Sequence, residues 1–215
     1  MGVRKIFVFS WILISSVLAG CEGAEEPGMK RLHGYTMGTV YQVTYEKPAG
    51  LSEIYTFELD SVLEIVNNIA STYIPSSLIS RLNQGEEIDT RELDEQTLDF
   101  FRQNVSISRK VWEWSDGYFD PTVMPLVNYW GFGYEGRRPV EEADSALIDS
   151  LKNLVGFDEV VSLFEGDHWK LPEGMQLDFS AVAKGAACDF LAGFLMAIPA
   201  LLTSMSIFPN LSITC

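Results

Sequence analysis

Asp116-Gly-Tyr-Phe-Asp-Pro-Thr-Val-Met-Pro-Leu126, running on to Trp130-Gly-Phe-Gly133, and Asp178-Phe-Ser-Ala-Val-Ala-Lys-Gly185 are the two stretches on which the reading of this chain turns. Both are dense in turn formers and aromatics, and each carries a carboxylate. The second adds a lysine beside a glycine where a helix should begin. Gly117 sits where a preceding helix must stop, so the first motif belongs to a loop over 116–138. The combination suits a flavin nucleotide: aromatics for the ring, glycine backbone and lysine for phosphates, carboxylate and carbonyl oxygens for a metal.

Working outward, Tyr41, Val43 and Tyr45 alternate with Gln42 and Thr44, which predicts a strand over Val40–Glu46. Ile54, Phe57, Val62, Ile65, Val66 and Ile69 recur at helical spacing and predict a helix over 53–70. A short helical or irregular turn follows over 77–83. Asp94 is a candidate N-cap for a helix whose face carries Leu98, Phe101, Val105, Ser108 and Trp112. A third helix is expected over 141–155, with Leu147, Ile148, Leu151, Leu154 and Val155 inward. Val160–Phe164 and His168–Leu171 read as a hairpin around Glu165-Gly-Asp167. Leu177–Phe179 reads as the end of a strand, and a fourth helix starts near Ala181. Strands and helices are interspersed without βαβ regularity and without a GxGxxG fingerprint, so the fold class is α+β, mixed sheets flanked by helices, and not Rossmann.

The chain has 215 residues, 47% of them hydrophobic, which suits one globular domain rather than a disordered segment. A net charge of −15 argues against nucleic acid as a partner, because phosphate contacts need a surplus of Lys and Arg. Arg4 and Lys5 followed by the apolar run Ile6–Leu18 make residues 1–20 a signal peptide. The run ends Leu18-Ala-Gly-Cys21, which resembles a lipobox and marks Cys21 as the lipidated residue of a membrane-anchored, extracytoplasmic protein of a bacterial cell envelope. An ordinary secreted protein is the alternative. Residues 21–34 are then a polar tether. Cys188 and Cys215 remain, with no CxxC pair, and only His33 and His168 are present, so a zinc site on thiolates or imidazoles is not expected.

The motifs also carry a resemblance. Met37-Gly-Thr39, Ser71-Thr-Tyr73, Asp116-Gly-Tyr-Phe-Asp-Pro-Thr122, Pro125-Leu-Val127, Trp130-Gly-Phe-Gly133, Val155-Gly156 and Asp178–Gly185 follow in an order and spacing that resembles the ApbE family, the FAD:protein FMN transferases, over about residues 35–190. The resemblance implies binding of FAD with Mg²⁺ and transfer of FMN to a Thr or Ser hydroxyl of an extracytoplasmic acceptor protein, with release of AMP. The implied partner is a flavin-carrying subunit of a membrane redox complex. It also implies site residues: Met37, Tyr73, Tyr118, Phe119, Asp120, Asp178 and Lys184 against the nucleotide, and the main-chain carbonyl of Ala181 on the metal. No catalytic residue is assigned, and neither histidine is given a catalytic role. Within the aromatic-rich loop, Trp130 and Phe132 are expected to pack structurally while Tyr118 and Phe119 face the nucleotide.

Each assignment has a plainer rival. Asp120 precedes Pro121 and is held extended, which suits a fixed ligand or a turn-forming Asp. Asp178 either accepts from the ligand or caps the helix that follows it. Residues 191–215 are a further anomaly, since no charged residue occurs from Phe190 to Cys215 and Pro199 and Pro209 interrupt any long helix. A membrane span, a buried core segment and out-of-frame sequence each fit, and the loss of family pattern after Asp189 favours the last. The glycine-rich strand, histidine and Asp/Thr metal loop that the family carries further on are not seen. The chain is therefore expected to be incomplete and impaired as a transferase, the rival functions being a non-catalytic flavin-binding lipoprotein and an inactive fragment.

Overall fold

A computed structural model of the chain describes residues 28–47, 53–134, 140, 142–198 and 212–214. The signal peptide, Cys21, Pro199, Pro209 and Cys215 lie outside the described residues.

Strand β1 (Gly28–Thr36) pairs antiparallel with β2 (Thr39–Lys47) across Met37-Gly38. Both turn residues have positive φ, 49° and 70°, the geometry of a two-residue hairpin whose twist matches its strands. The tether expected over 21–34 thus becomes strand from residue 28 onward. Up to the buried Thr36 its side chains alternate between exposed and half-buried, with Leu32 packed on the core, so order comes mainly from backbone pairing with β2. In β2 the alternation is as expected: Tyr41, Val43 and Tyr45 point into the core. Tyr41 lies so close to Gly34 that a Cβ there would sit 2.6 Å from its ring. Its hydroxyl donates to Asp60 at 2.6 Å, and burial together with that carboxylate holds the phenol protonated well above its usual range.

Helix α1 (Thr56–Ala70) lays Leu59, Leu63, Val66 and Ile69 against this sheet and the neighbouring helices. Helix α2 (Leu78–Asn83) is capped by Ser77, and β3 (Ile88–Asp89) leads through a 3-10 turn to α3 (Glu95–Trp114). The Asp94 side chain accepts from Thr97 N at 2.8 Å, as an N-cap should. At the other end Gly117 N donates to Trp112 O and Asp116 N to Glu113 O, with φ of 78° and 50°. That is a Schellman stop, with the left-handed conformation shared between Asp116 and Gly117.

Helices α4 (Met124–Tyr129), α5 (Ser145–Lys152) and α6 (Phe157–Val160) follow. The helix expected over 141–155 is shorter than its apolar pattern suggests and buries none of its residues fully: Leu147 is exposed, and Ile148, Leu151, Leu154 and Val155 are half-buried. The expected hairpin over 160–171 does not form. Val160 and Phe164 are buried as neighbours on one helical face, because the segment continues from α6 into a 3-10 turn. His168–Trp169 is strand β4, but it pairs with Ile88–Asp89 of β3. Leu177–Phe179 joins no sheet among the described residues, and an isolated parallel bridge links the preceding Gln176 to Val123.

Helix α7 (Ala183–Ala197) closes the core with Ala187, Leu191 and Leu195, while Phe101, Phe164, Trp169 and Phe179 form an aromatic centre with ring centroids 4.8 to 5.6 Å apart. Strand β5 (Ser212–Thr214) pairs with β2. The described parts of the uncharged tail therefore belong to the packed structure, and among the described residues no helix is long and apolar enough to cross a membrane.

Candidate functional site

The two motifs meet through main chain. Asp178 N donates to Pro121 O at 2.7 Å beside the Val123–Gln176 bridge. Around this junction opens a cavity of about 690 Å³, lined among others by Met37, Tyr73, Met124, Phe132, Asp178 and Lys184. Its walls come from the β1–β2 turn, the end of α1, the 71–74 loop, α4 with its following loop, and the start of α7.

Each wall is fixed by a local device. Ser77 Oγ donates to Ser71 O at 2.6 Å and Ser80 Oγ to the carbonyls of Ser71 and Thr72, which pins the loop that presents Tyr73. The Asn83 amide brackets Leu177, donating to its carbonyl at 2.8 Å and accepting from its N–H at 2.7 Å. Asp178 is the next residue, so α2 sets the position of that carboxylate. Asp178 Oδ1 then accepts from the N–H and hydroxyl of Ser180 at 2.8 and 2.5 Å, turning the chain into α7. Oδ2 makes no hydrogen bond among the described residues.

At that turn the main chain is left open. The N–H groups of Lys184 and Gly185 and the carbonyls of Ser180 and Ala181 have no main-chain partner among the described residues. The Lys184 ammonium has no acceptor there either, although the side chain is half-buried on the cavity wall. Free N–H groups, a helix N-terminus and an unpaired cation beside one carboxylate make a place for an anion. No group of three or more His, Cys, Asp or Glu side chains capable of holding a metal occurs among the described residues. Asp178 is the one carboxylate among the described lining residues, and with the open carbonyls of the 180–181 turn it makes a set that suits magnesium only when ligand and water oxygens complete the shell.

Four expected residues, Met37, Tyr73, Asp178 and Lys184, line this one cavity. Ala181 stands in the exposed turn at its edge. Tyr118, Phe119 and Asp120 do not line it. Tyr118, just after the Asp116-Gly117 stop, is 96% exposed, and Phe119 packs partly on the core. Asp120 is engaged at both oxygens: Oδ1 takes Thr122 N at 2.7 Å and Thr122 Oγ at 2.5 Å, and Oδ2 takes Phe157 N at 3.0 Å. Thr122 Oγ in turn accepts from Gly156 N at 2.9 Å. In the structure the Asp-Pro-Thr motif ties the Val155-Gly156 segment to the loop. Phe132, expected to pack, is instead 78% exposed on the cavity.

The ApbE family profile matches residues 37–201. The chain belongs to the ApbE family. The matched segment ends at residue 201, within the uncharged stretch. A protein named FAD:protein FMN transferase from Vibrio cholerae serotype O1 is 34% identical over 183 residues, covering 83% of this chain and 52% of that relative. One of the same name from Haemophilus influenzae is 30% identical over 182 residues, covering 81% and 51%. Among solved structures, the flavin transferase ApbE from Vibrio cholerae superposes with a TM-score of 0.68 at 30% identity, covering 80% of this chain and 54% of that one. The apo flavinyl transferase ApbE from Pseudomonas stutzeri gives 0.66 at 27%, with the same coverage. The chain spans about half the length of the relatives it matches.

Proposed function

We propose that the cavity holds FAD and that the chain serves a FAD:protein FMN transferase reaction. In that reaction a Thr or Ser hydroxyl of an acceptor protein attacks the FMN-side phosphorus of FAD. The P–O bond to AMP breaks, AMP leaves, and the hydroxyl proton is released to solvent. Water in place of the hydroxyl gives FMN and AMP instead. The observation that carries this reading is the unpaired Lys184 at the open start of α7, in a cavity that also presents Tyr73 and Phe132.

Lys184 and the free N–H groups of Lys184 and Gly185 bind the diphosphate. The Ala181 carbonyl and Asp178 Oδ2 are the protein oxygens offered to magnesium. When bound, magnesium neutralises the charge that develops on the diphosphate. Asp120 acts through the loop it braces, setting the Pro121 carbonyl that receives Asp178 N, with Tyr118 and Phe119 carried on the same bend. Met37 closes the end of the cavity at the hairpin turn. The acceptor we propose is a flavoprotein subunit of a membrane redox complex, met at the extracytoplasmic face of a bacterial membrane where a lipid on Cys21 anchors the chain. Names of the matched relatives support the flavin and the transfer.

The full chain incubated with FAD, magnesium and a Thr-containing acceptor protein tests the reading. Covalent flavin fluorescence on the acceptor with stoichiometric AMP is the expected result. FAD bound without AMP release reduces the function to flavin binding, and absence of FAD binding overturns the reading.

A further inference from the structure

Phe132 occupies an unusual place. Helix α4 ends in a Schellman motif: Phe132 N donates to Val127 O and Gly131 N to Asn128 O, both at 3.0 Å, with Gly131 at φ 74°. The residue at the Phe132 position of this motif usually folds back on the apolar residue five before it, here Val127. Phe132 covers itself little in that way, since 78% of it stays open to solvent on the cavity wall. Its backbone is nonetheless locked. Gly131 supplies the left-handed turn, and a side chain at Gly133 would overlap the buried Asn128 amide. Asn128 is held in turn by Gln176, and Gln176 by Tyr134. A large bare ring is thus fixed on a rigid loop, facing a cavity whose other exposed aromatic is Tyr73. Neither ring touches another aromatic ring among the described residues.

We propose that Phe132 is a ligand-contact residue whose ring stacks on a planar heteroaromatic ring of the bound dinucleotide. The inference rests on the FAD reading given above and adds a residue to it. Lys184 fixes the diphosphate in the same cavity, so one of the two rings of FAD lies within reach of the wall that Phe132 forms. Stacking on Phe132 excludes water from that ring and sets the angle at which the diphosphate reaches Lys184.

The test is a titration of the full chain with FAD, FMN and AMP, for the unsubstituted protein and for F132A, F132L and F132Y. Thermal melts of each variant check the fold, which an exposed side chain should leave intact. F132A is expected to weaken FAD roughly tenfold or more. F132Y should restore affinity, whereas F132L, apolar but without a π face, should not. A loss confined to FMN assigns the flavin ring, and one confined to AMP assigns adenine. Unchanged FAD affinity in F132A overturns the inference while leaving the FAD reading intact, as does equal loss in F132A and F132Y. Failure of the unsubstituted chain to bind FAD removes the FAD reading and the inference together.

Discussion

Asp178 and Lys184 line the same cavity, yet no ion pair joins them. Asp178 Oδ1 is taken by Ser180, and the Lys184 ammonium has no acceptor among the described residues. A half-buried cation left unpaired is costly unless a ligand completes it. Lys184→Ala should therefore leave the melting temperature unchanged or raised, while weakening FAD by about 2 kcal/mol, roughly thirtyfold. Lys152, paired with Asp149 on the surface, is the control, and K152A should titrate like the unsubstituted chain. Calorimetric titration with FAD reads both.

Asp120 and Thr122 are expected to matter for the fold first. Removing the Asp120 carboxylate leaves the N–H groups of Thr122 and Phe157 without their acceptor near a buried threonine. Asp120→Ala should cost about 2 to 3 kcal/mol in urea unfolding. Thr122→Val, which removes the acceptor for Gly156 N, should cost about 1 to 2 kcal/mol. The two should be strongly non-additive, because they brace one segment. Additive losses would show that the bracing is not shared.

Met37 holds φ 49° in the hairpin turn, a conformation that disfavours side chains. Met37→Gly should gain up to about 1 kcal/mol of stability by relieving that strain. It also removes an apolar wall of the cavity, so FAD affinity should fall in the same variant. Opposite signs in melting and in titration would assign the side chain to the ligand rather than to the fold.

The Asp94 cap gives a pH signature. Its hydrogen bonds from the hydroxyl and N–H of Thr97 hold the carboxyl below the usual carboxylate range. A depressed folded value means that the cap's contribution is complete above the unfolded value near pH 4 and is lost as pH falls through the folded one. Asp94→Ala should cost about 1 kcal/mol at pH 7, and the difference from the unsubstituted chain should shrink below about pH 4. Asp94→Asn should keep most of the cap and flatten the pH dependence. Urea denaturation at pH 7, 4 and 3 measures each.

The features legible in the sequence were those with a local chemical cause. Asp94 announced a cap, Gly117 a helix stop, and Tyr41, Val43 and Tyr45 a half-buried strand. Met37, Tyr73, Asp178 and Lys184 lie far apart in the chain, and only their motif context linked them before the fold brought them to one cavity. Other features depended on pairing or exposure, which a linear pattern does not carry. Strand β1 has no apolar face to betray it and is ordered by hydrogen bonds to β2. Val160 and Phe164 fit a strand as well as a helical face until Trp169 pairs elsewhere, with Ile88. Phe132 reads from the sequence as a packing aromatic and Tyr118 as one facing the ligand, and it is the Schellman turn after α4 that sets Phe132 on the cavity wall.

Hydrogen exchange of the full chain with FAD and magnesium, read by mass spectrometry, tests the central claim most directly. Binding in the cavity should slow exchange together at residues 71–74, 131–133 and 178–185, and leave the second groove, between α4 and α5 near Leu147 and Leu151, unchanged. Protection confined to that second groove, or none at any of the three cavity segments while FAD is bound, would contradict the account.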